Sequence, residues 1–323
     1  MRALVCKDFA PYKNLTVEEA PEPPLGEGMV MLDVKAAGVN FPDLLMSQGK
    51  YQFKPELPFT LGMEVAGVIE AVGEGVTEWK PGDEVIGGNK TGAYAEYAVL
   101  PAASLSAKPA PFSFAEAAAF PAAYITAYVA LVVRANLQPG ETLLVHGASG
   151  GVGMAAVDVG KLLGATVIAT SASDAKLDKV LAYGADYGIN ATQGFRDKVK
   201  TLTGGKGADV IFDPVGGDVF DESVRCIAFD GRLLVVGFTS GRIPEVKVNM
   251  PLIKGFSVVG VRAGEYGRRF PERGRANQAA IRKWAEEGKV HPHVFREIPL
   301  DDWREAWRLM TDREVVGKVI IRP

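Results

Sequence analysis

The chain has 323 residues, 47% of them hydrophobic and 23% charged, with a formal net charge of −3 at pH 7. That length accommodates two domains, each with its own core, and the near-neutral balance gives no electrostatic reason to expect nucleic acid or an anionic membrane as partner. There is no run of eighteen apolar residues, and the first residues lack the apolar core of a secretory signal, so the chain is expected in the cytoplasm.

From residue 1 to about 120 the sequence is dense in Gly and Pro and carries short β-rich runs at 30–37, 65–72, 83–86 and 93–99. Short strands separated by turn signals, such as Lys80-Pro81-Gly82-Asp83, predict a small, mainly β domain. An Ala-rich helical run covers 114–119, Pro121 breaks it, and linking helical sequence follows at 124–132. An apolar strand then enters a glycine-rich turn at 142–153. Beyond it, strands at 165–170, 187–190, 208–213, 231–237 and 256–261 alternate with helices at 154–163, 175–182, 195–203 and 220–228. This alternation predicts an α/β fold with a doubly wound parallel sheet.

Amphipathic helices near 275–287 and 301–310 and a strand at 317–321 close the chain. They are too little for a third core and are expected to return to the first domain. The expected division is therefore 1–122 completed by 265–323, with 123–264 as the second domain.

The glycine turn carries the chemistry. It reads Thr142-Leu143-Leu144-Val145-His146-Gly147-Ala148-Ser149-Gly150-Gly151-Val152-Gly153, with the spacing Ala148-x-Gly150-x-x-Gly153. In a strand–turn–helix unit the glycines allow a tight reversal and close approach to a pyrophosphate, and the helix N-terminus attracts the anion. The same spacing also serves plain strand–helix packing; the strand–turn–helix–strand context favours a dinucleotide. Cys6 and Cys226, far apart and flanked by apolar residues, read as buried free thiols.

Taken with Ala37-Gly38-Val39-Asn40-Phe41-Pro42-Asp43, Gly49-Lys50-Tyr51, Leu61-Gly62-Met63-Glu64-Val65-Ala66-Gly67, Lys80-Pro81-Gly82-Asp83-Glu84-Val85 and Val316-Gly317-Lys318-Val319, the turn makes a set in consistent order along essentially the whole chain. The set resembles the medium-chain dehydrogenase/reductase superfamily, and within it the zinc-free quinone oxidoreductases. The resemblance implies a GroES-like (chaperonin-10-like), mainly β-barrel catalytic domain, a Rossmann-type dinucleotide-binding domain, and a cofactor in the cleft between them. Where zinc alcohol dehydrogenases place a ligating cysteine and a Gly-His-Glu, this chain has Asn40 and Met63. A carboxamide and a thioether are poor substitutes for thiolate and imidazole. The cysteine-rich lobe of that branch is missing, so no zinc is expected. His146 reads as a core residue; His291 and His293 read as solvent-facing.

Without a Lewis acid, conjugated acceptors are the suitable substrates, because the charge left by hydride transfer spreads to an oxygen that hydrogen-bond donors can stabilise. The resemblance therefore implies hydride transfer from NADPH to a quinone or activated alkene. The alternatives are an enone or 2-enoyl-thioester (enoyl-CoA) reductase and, in another class, a nucleotide-binding protein with a structural or RNA-binding role. The charge and the lack of an aromatic-basic stripe argue against RNA. Asn40 and Tyr51 are expected to donate to the acceptor carbonyl, with Met63 lining the pocket. Against this, Asn40 could simply brace a loop and Tyr51 could be a packed surface aromatic.

Asp43 would brace that loop, and Tyr124 and Thr126 match positions near the nicotinamide. Ala148, Ser149, Gly150, Gly151, Val152 and Gly153 would hold the pyrophosphate. Ser171 stands where an NAD site has an acid, and Lys176 is placed for a 2′-phosphate, so NADPH is favoured over NADH despite the nearby Asp174. Asn190, Asp213, Val215, Gly237, Phe238, Thr239, Arg313 and Lys318 are the further cofactor contacts implied. Ala191 replaces a tyrosine of some zinc-free relatives. Arg262, Arg268, Arg269 and Arg273 are weighed as a channel for a coenzyme A phosphate or as an exposed charged loop. The edge strand 256–261 is expected to pair with its twin in a homodimer.

Overall fold

In the first 120 residues, alternation of apolar and polar positions builds strands β1 (Arg2–Cys6), β2 (Thr16–Glu19), β3 (Met29–Gly38), β4 (Phe59–Thr60), β5 (Glu64–Val72), β6 (Glu84–Gly88), β7 (Tyr97–Pro101) and β8 (Ser106–Ala107). The computed structural model describes residues 1–10 and 12–323. In β3, Val30, Leu32, Val34 and Ala36 are buried while the residues between them are more open. The strand expected at 93–99 begins only at Tyr97, because Tyr94 is already committed on both sides. Its carbonyl accepts from the Leu4 N–H at 2.8 Å, and its own N–H donates to the Leu61 carbonyl at 2.9 Å.

Helix α2 (Phe114–Ala119) is started by Ser113: its Oγ accepts from the Glu116 N–H at 3.2 Å, and Glu116 Oε2 accepts from the Ser113 N–H at 2.8 Å. Helix α1 (Phe41–Ser47) has too few turns to show an apolar period, and no helix is expected there from the sequence.

Helix α3 (Pro121–Tyr128) runs into a wider π-type turn at Val129–Arg134. There follow β9 (Thr142–Val145), α4 (Gly151–Leu162), β10 (Thr166–Ser171), α5 (Asp174–Tyr183), β11 (Tyr187–Asn190), α6 (Arg196–Leu202), β12 (Ala208–Asp213), α7 (Gly217–Ser223), β13 (Ile227–Val235), α8 (Asn249–Lys254) and β14 (Ser257–Gly260). The strands pair in parallel in the order β11-β10-β9-β12-β13-β14. Leu143, Leu144 and Val145 of β9 and Val210, Ile211 and Phe212 of β12 are fully buried, as a parallel sheet covered on both faces requires. Chain order reverses between β9 and β12, the place in an open α/β sheet where ligands bind.

The helix expected at 220–228 lies earlier, because α7 starts directly from the positive-φ Gly216. By Ile227 the chain has entered β13, whose pairing with β12 is interrupted between Ala208 and Val210, where Asp230 takes a positive φ.

Helices α9 (Ala263–Arg269) and α10 (Pro271–Glu286) come next. The chain divides into two compact units, Met1–Pro121 with Pro292–Pro323, and Ala122–His291. Residues 265–291, expected with the first domain, therefore group with the second. The reason is the apolar stripe of α10: Ile281 and Ala285 are buried, and Trp284 lies against Tyr128 with ring centroids 5.2 Å apart.

The remaining β15 (Val294–Pro299), α11 (Trp303–Thr311) and β16 (Lys318–Arg322) belong to the first unit. There β15, β16, β3, β5, β6 and β8 are neighbours in that order, with β7 also on β3, while β1 pairs with β2 and β4. Ile320 sits opposite Gly38 and Ile321 opposite Ala37, so the last strand reaches the end of β3. Trp303 and Trp307 of α11 are fully buried, edge-on to one another at 5.5 Å.

Candidate functional site

In the second unit, β9 ends at Val145 and Gly147, at φ +55°, starts the reversal. The Ala148 N–H donates to the Thr170 carbonyl at 3.0 Å, fastening the turn to β10. Gly150 caps α4 with no side-chain hydrogen bond, which leaves the first-turn N–H groups available to an anion. The two later glycines have different jobs. A Cβ on Gly153 would lie 2.3 Å from the Gly147 carbonyl oxygen and 2.7 Å from Ala148 Cα, so helix and turn pack backbone to backbone. A Cβ on Gly150 would meet only the Gly147 oxygen, at 3.4 Å. Ala148 and Ser149 are buried; Gly150, Gly151 and Val152 are half-buried.

His146, fully buried, sits under this turn with Nδ1 2.9 Å from Thr170 Oγ1 and Nε2 2.8 Å from Ser223 Oγ. Ser223 also donates to the Val219 carbonyl at 2.7 Å, so Nε2 carries the hydrogen and Nδ1 accepts. Desolvation pushes the imidazole pKa down to about 3 and holds it neutral.

At the end of β10, Ser171 is buried and Lys176, in the first turn of α5, is half-buried. Asn190 braces this corner: its Nδ2 donates to Asp174 Oδ1 at 2.8 Å and its Oδ1 accepts from Thr192 N–H and Oγ1. Beyond β12, the buried Asp213 takes the Val215 and Gly216 N–H groups on Oδ1 at 2.8 and 2.9 Å. Burial raises its pKa against the opposing pull of those bonds. The Thr239 N–H donates to Pro214 and the Ser240 N–H to Val215, so Val215, Gly237, Phe238 and Thr239 share one ribbon of two zipped loops.

Thr126 is bonded back along α3 to the Ala122 carbonyl at 2.7 Å. Tyr124 is held within the second unit. It is buried and donates to Asp158 Oδ2 at 2.6 Å, an oxygen that also accepts from Tyr183 and from the His291 N–H.

In the first unit the polar residues gather where β3, β5, β16 and α1 end. Asn40, the N-cap of α1, donates from Nδ2 to Glu64 Oε1 at 2.8 Å and, more weakly, to the Gly38 carbonyl at 3.3 Å. Lys318 Nζ lies 2.7 Å from Asn40 Oδ1 and 2.5 Å from Glu64 Oε1. Glu64 is 2% exposed and Lys318 6%, so this is a buried ion pair. Lys318, expected among the cofactor contacts, bonds both Asn40 and Glu64. Asp43 Oδ2 accepts from the Asn40 N–H at 2.9 Å and the Tyr94 hydroxyl at 2.7 Å, while Oδ1 is buried with no hydrogen-bond partner among the described residues. Desolvation lifts the Asp43 carboxyl to about 7, against the pull of those donors and of Lys318.

Met63 and Tyr51 are half-buried; Arg313 is exposed, at φ +57° in the turn before β16. Neither Glu64 nor Tyr94 is singled out by sequence reasoning. The available signal is a lone lysine leading an apolar strand, which requires a buried counter-charge.

Residues 26–110 match the model of the alcohol dehydrogenase GroES-like domain, and residues 151–277 match that of the zinc-binding dehydrogenases. A quinone oxidoreductase-like protein 2 homolog of Nematostella vectensis is 40% identical over 99% of this chain and 88% of its own length. The chain belongs to the medium-chain dehydrogenase/reductase superfamily, among its quinone oxidoreductase-like members. It is an oxidoreductase, built from a GroES-like unit and a Rossmann-type parallel sheet. A mycobacterial protein solved in complex with NADPH has a TM-score of 0.88 and 31% identity, covering 100% of both chains. The CurK enoyl reductase has a TM-score of 0.90 and 27% identity, covering 99% of this chain and 98% of its own.

The donor set of this family member does not suit the zinc of the alcohol dehydrogenases. The Asn40 oxygen already bonds an ammonium, and Met63 offers only a thioether. Of the arginines weighed for a coenzyme A channel, Arg262 lies in the connection before α9 and Arg273 on α10. Arg268 and Arg269 lie on α9 and pair with Glu265 within the helix. Among the described residues no helix is long and apolar enough to cross a membrane.

Proposed function

We propose that this oxidoreductase moves hydride from NADPH to a quinone or conjugated carbonyl acceptor, without a catalytic zinc. The observation that carries the reading is the uncapped glycine turn at the point where the sheet order reverses, flanked by Ser171 and Lys176. The residues fit a dinucleotide. Gly151 and Val152 offer backbone N–H groups to a pyrophosphate, and Ser171 leaves space where an acid would repel a 2′-phosphate that Lys176 can meet. The mycobacterial structure with NADPH supports the same choice.

A bound nicotinamide supplies the hydride; the chain's own residues orient the acceptor and take up its charge. Asn40 Nδ2 and the Tyr51 hydroxyl are the donors for the acceptor oxygen, and Met63 contributes apolar lining. Lys318, with its ammonium already on the Asn40 oxygen, leaves no room for a divalent cation there. The likeness to the CurK enoyl reductase favours a second reading, an enone or 2-enoyl-thioester acceptor. The edge strand β14 exposes Val258, and Leu252 and Ile253 on α8 are also exposed. These support a homodimer in which the edges of two copies pair.

The test follows NADPH and NADH oxidation with 1,4-benzoquinone, 9,10-phenanthrenequinone, a simple enone and crotonyl-CoA, with and without chelator. Fast turnover of a quinone with NADPH, unaffected by chelator, is expected. Loss on chelation removes the zinc-free mechanism, and faster oxidation of NADH removes the cofactor choice. Turnover of crotonyl-CoA alone transfers the assignment to the thioester reductases.

A further inference from the structure

We infer that Lys318 is a positioning residue for the reduction: with Glu64 it locks the Asn40 carboxamide in one orientation, so that Asn40 presents an N–H rather than its oxygen to the acceptor. The inference rests on the reading of Asn40 as an acceptor contact.

A carboxamide has two nearly isosteric orientations, and usually only its neighbours distinguish them. Here the neighbours are unambiguous. Lys318 Nζ can only donate and lies 2.7 Å from Oδ1; a deprotonated Glu64 can only accept, and its Oε1 lies 2.8 Å from Nδ2. Flipping the amide would set NH2 against an ammonium and a carbonyl against a carboxylate. Both charged groups are almost fully buried, so little water screens that penalty. Lys318 Nζ also bonds Glu64 Oε1, which closes a three-membered ring of interactions from the first residue of β16, the first residue of β5 and the N-cap of α1.

The β-ladders fix these three positions, since Gly38 pairs with both Ile320 and Glu64. One Asn40 N–H is held firmly by Glu64. The other reaches the Gly38 carbonyl at a longer 3.3 Å. The second N–H is therefore the one the protein can surrender to a substrate oxygen that gains negative charge.

The test compares Lys318→Met/Glu64→Gln, which removes both charges together and avoids an unpaired buried one, with Lys318→Arg and Asn40→Ala. Steady-state kinetics on the quinone that wild type turns over are read beside the melting temperature. The double variant is expected to lose at least about tenfold in kcat with the NADPH KM unchanged within about twofold, as for an interaction that acts in the chemical step. Lys318→Arg, which keeps a cation on the Asn40 oxygen, is expected to recover several-fold of that loss.

Wild-type kcat in the double variant overturns the inference. So does a parallel loss of kcat, NADPH KM and melting temperature with no recovery in Lys318→Arg. Should the double variant not fold, Lys318→Arg is compared with Lys318→Gln: higher kcat in the arginine variant supports the lock, and equal values overturn it. If Asn40→Ala keeps full turnover, the acceptor-contact reading itself fails. If Asn40→Ala loses turnover and the double variant does not, only the role of Lys318 fails.

Discussion

Alanine at Gly150 and at Gly153 separates a nucleotide-binding turn from one that only packs. At Gly153 the new Cβ would lie 2.3 Å from the Gly147 carbonyl oxygen, and both contacting groups are backbone, so the turn or the helix must move. Overpacking of this kind costs about 1–3 kcal/mol, offset by up to about 1 kcal/mol of helix propensity. A net loss of about 1–2 kcal/mol corresponds to a melting shift of about 2–8 °C for a unit of this size. Gly150 has φ −78° and ψ 166°, which alanine adopts freely, and its Cβ would meet one atom at 3.4 Å. Its apo stability should stay within about 1 kcal/mol of wild type. A methyl group at that point nevertheless blocks the approach of a pyrophosphate to the backbone, so NADPH affinity should fall at least about tenfold. Thermal melts of the apo proteins and fluorescence titration with NADPH read the two effects separately. Wild-type NADPH affinity in Gly150→Ala would refute the phosphate-cradle reasoning, and an unchanged melting temperature in Gly153→Ala would refute the packing argument.

Lys176→Ala is expected to weaken NADPH binding by about tenfold while leaving NADH nearly untouched, which titration with both cofactors measures. His146 makes stability pH-dependent. Its folded pKa is depressed to about 3, so below pH 6.5 the unfolded chain binds a proton that the folded one refuses, and stability drops by up to about 1.4 kcal/mol per pH unit down to that value. The difference in denaturant midpoint between wild type and His146→Gln should change with this slope between pH 7 and 4, and a difference that does not vary with pH refutes it. Asp43 works in the opposite sense. With its carboxyl raised to about 7, it contributes stability that is complete below its ordinary value of 3.8 and is lost as pH rises through 7, so the stability of wild type relative to Asp43→Asn should fall as pH rises over that range. Lysine at both Val258 and Leu252 should halve the mass seen by light scattering if two copies meet along β14; an unchanged mass removes that interface.

Much of the sheet in the second unit is visible in the sequence because buried parallel strands are unbroken apolar runs and glycines mark the turns between them. Thr142–Val145 and Ala208–Asp213 read correctly for that reason. The errors come where a tertiary partner outweighs local pattern. Nothing local in 220–228 announces that Ile227 will pair with Ala208, because that strand is interrupted at Asp230 and Gly231. The assignment of residues 265–291 failed for a similar reason. An amphipathic helix shows that it has a buried face but not which core covers it, and here Trp284 finds Tyr128.

The candidate site is legible in proportion to how much of it lies in the backbone. The glycine turn depends on residue type at fixed spacing, so the sequence displays it directly. The cluster around Asn40 depends on three side chains separated by up to 278 positions, and only the ladder from β16 through β3 to β5 brings them together. From the sequence, Asn40 reads as an acceptor contact or a brace of its loop and Lys318 as a cofactor contact; no local pattern pairs either with Glu64. A cation buried between Val316 and Val319 must find its counter-charge inside the same core, and Glu64, the acid beside Met63 at the start of β5, is where that requirement is met.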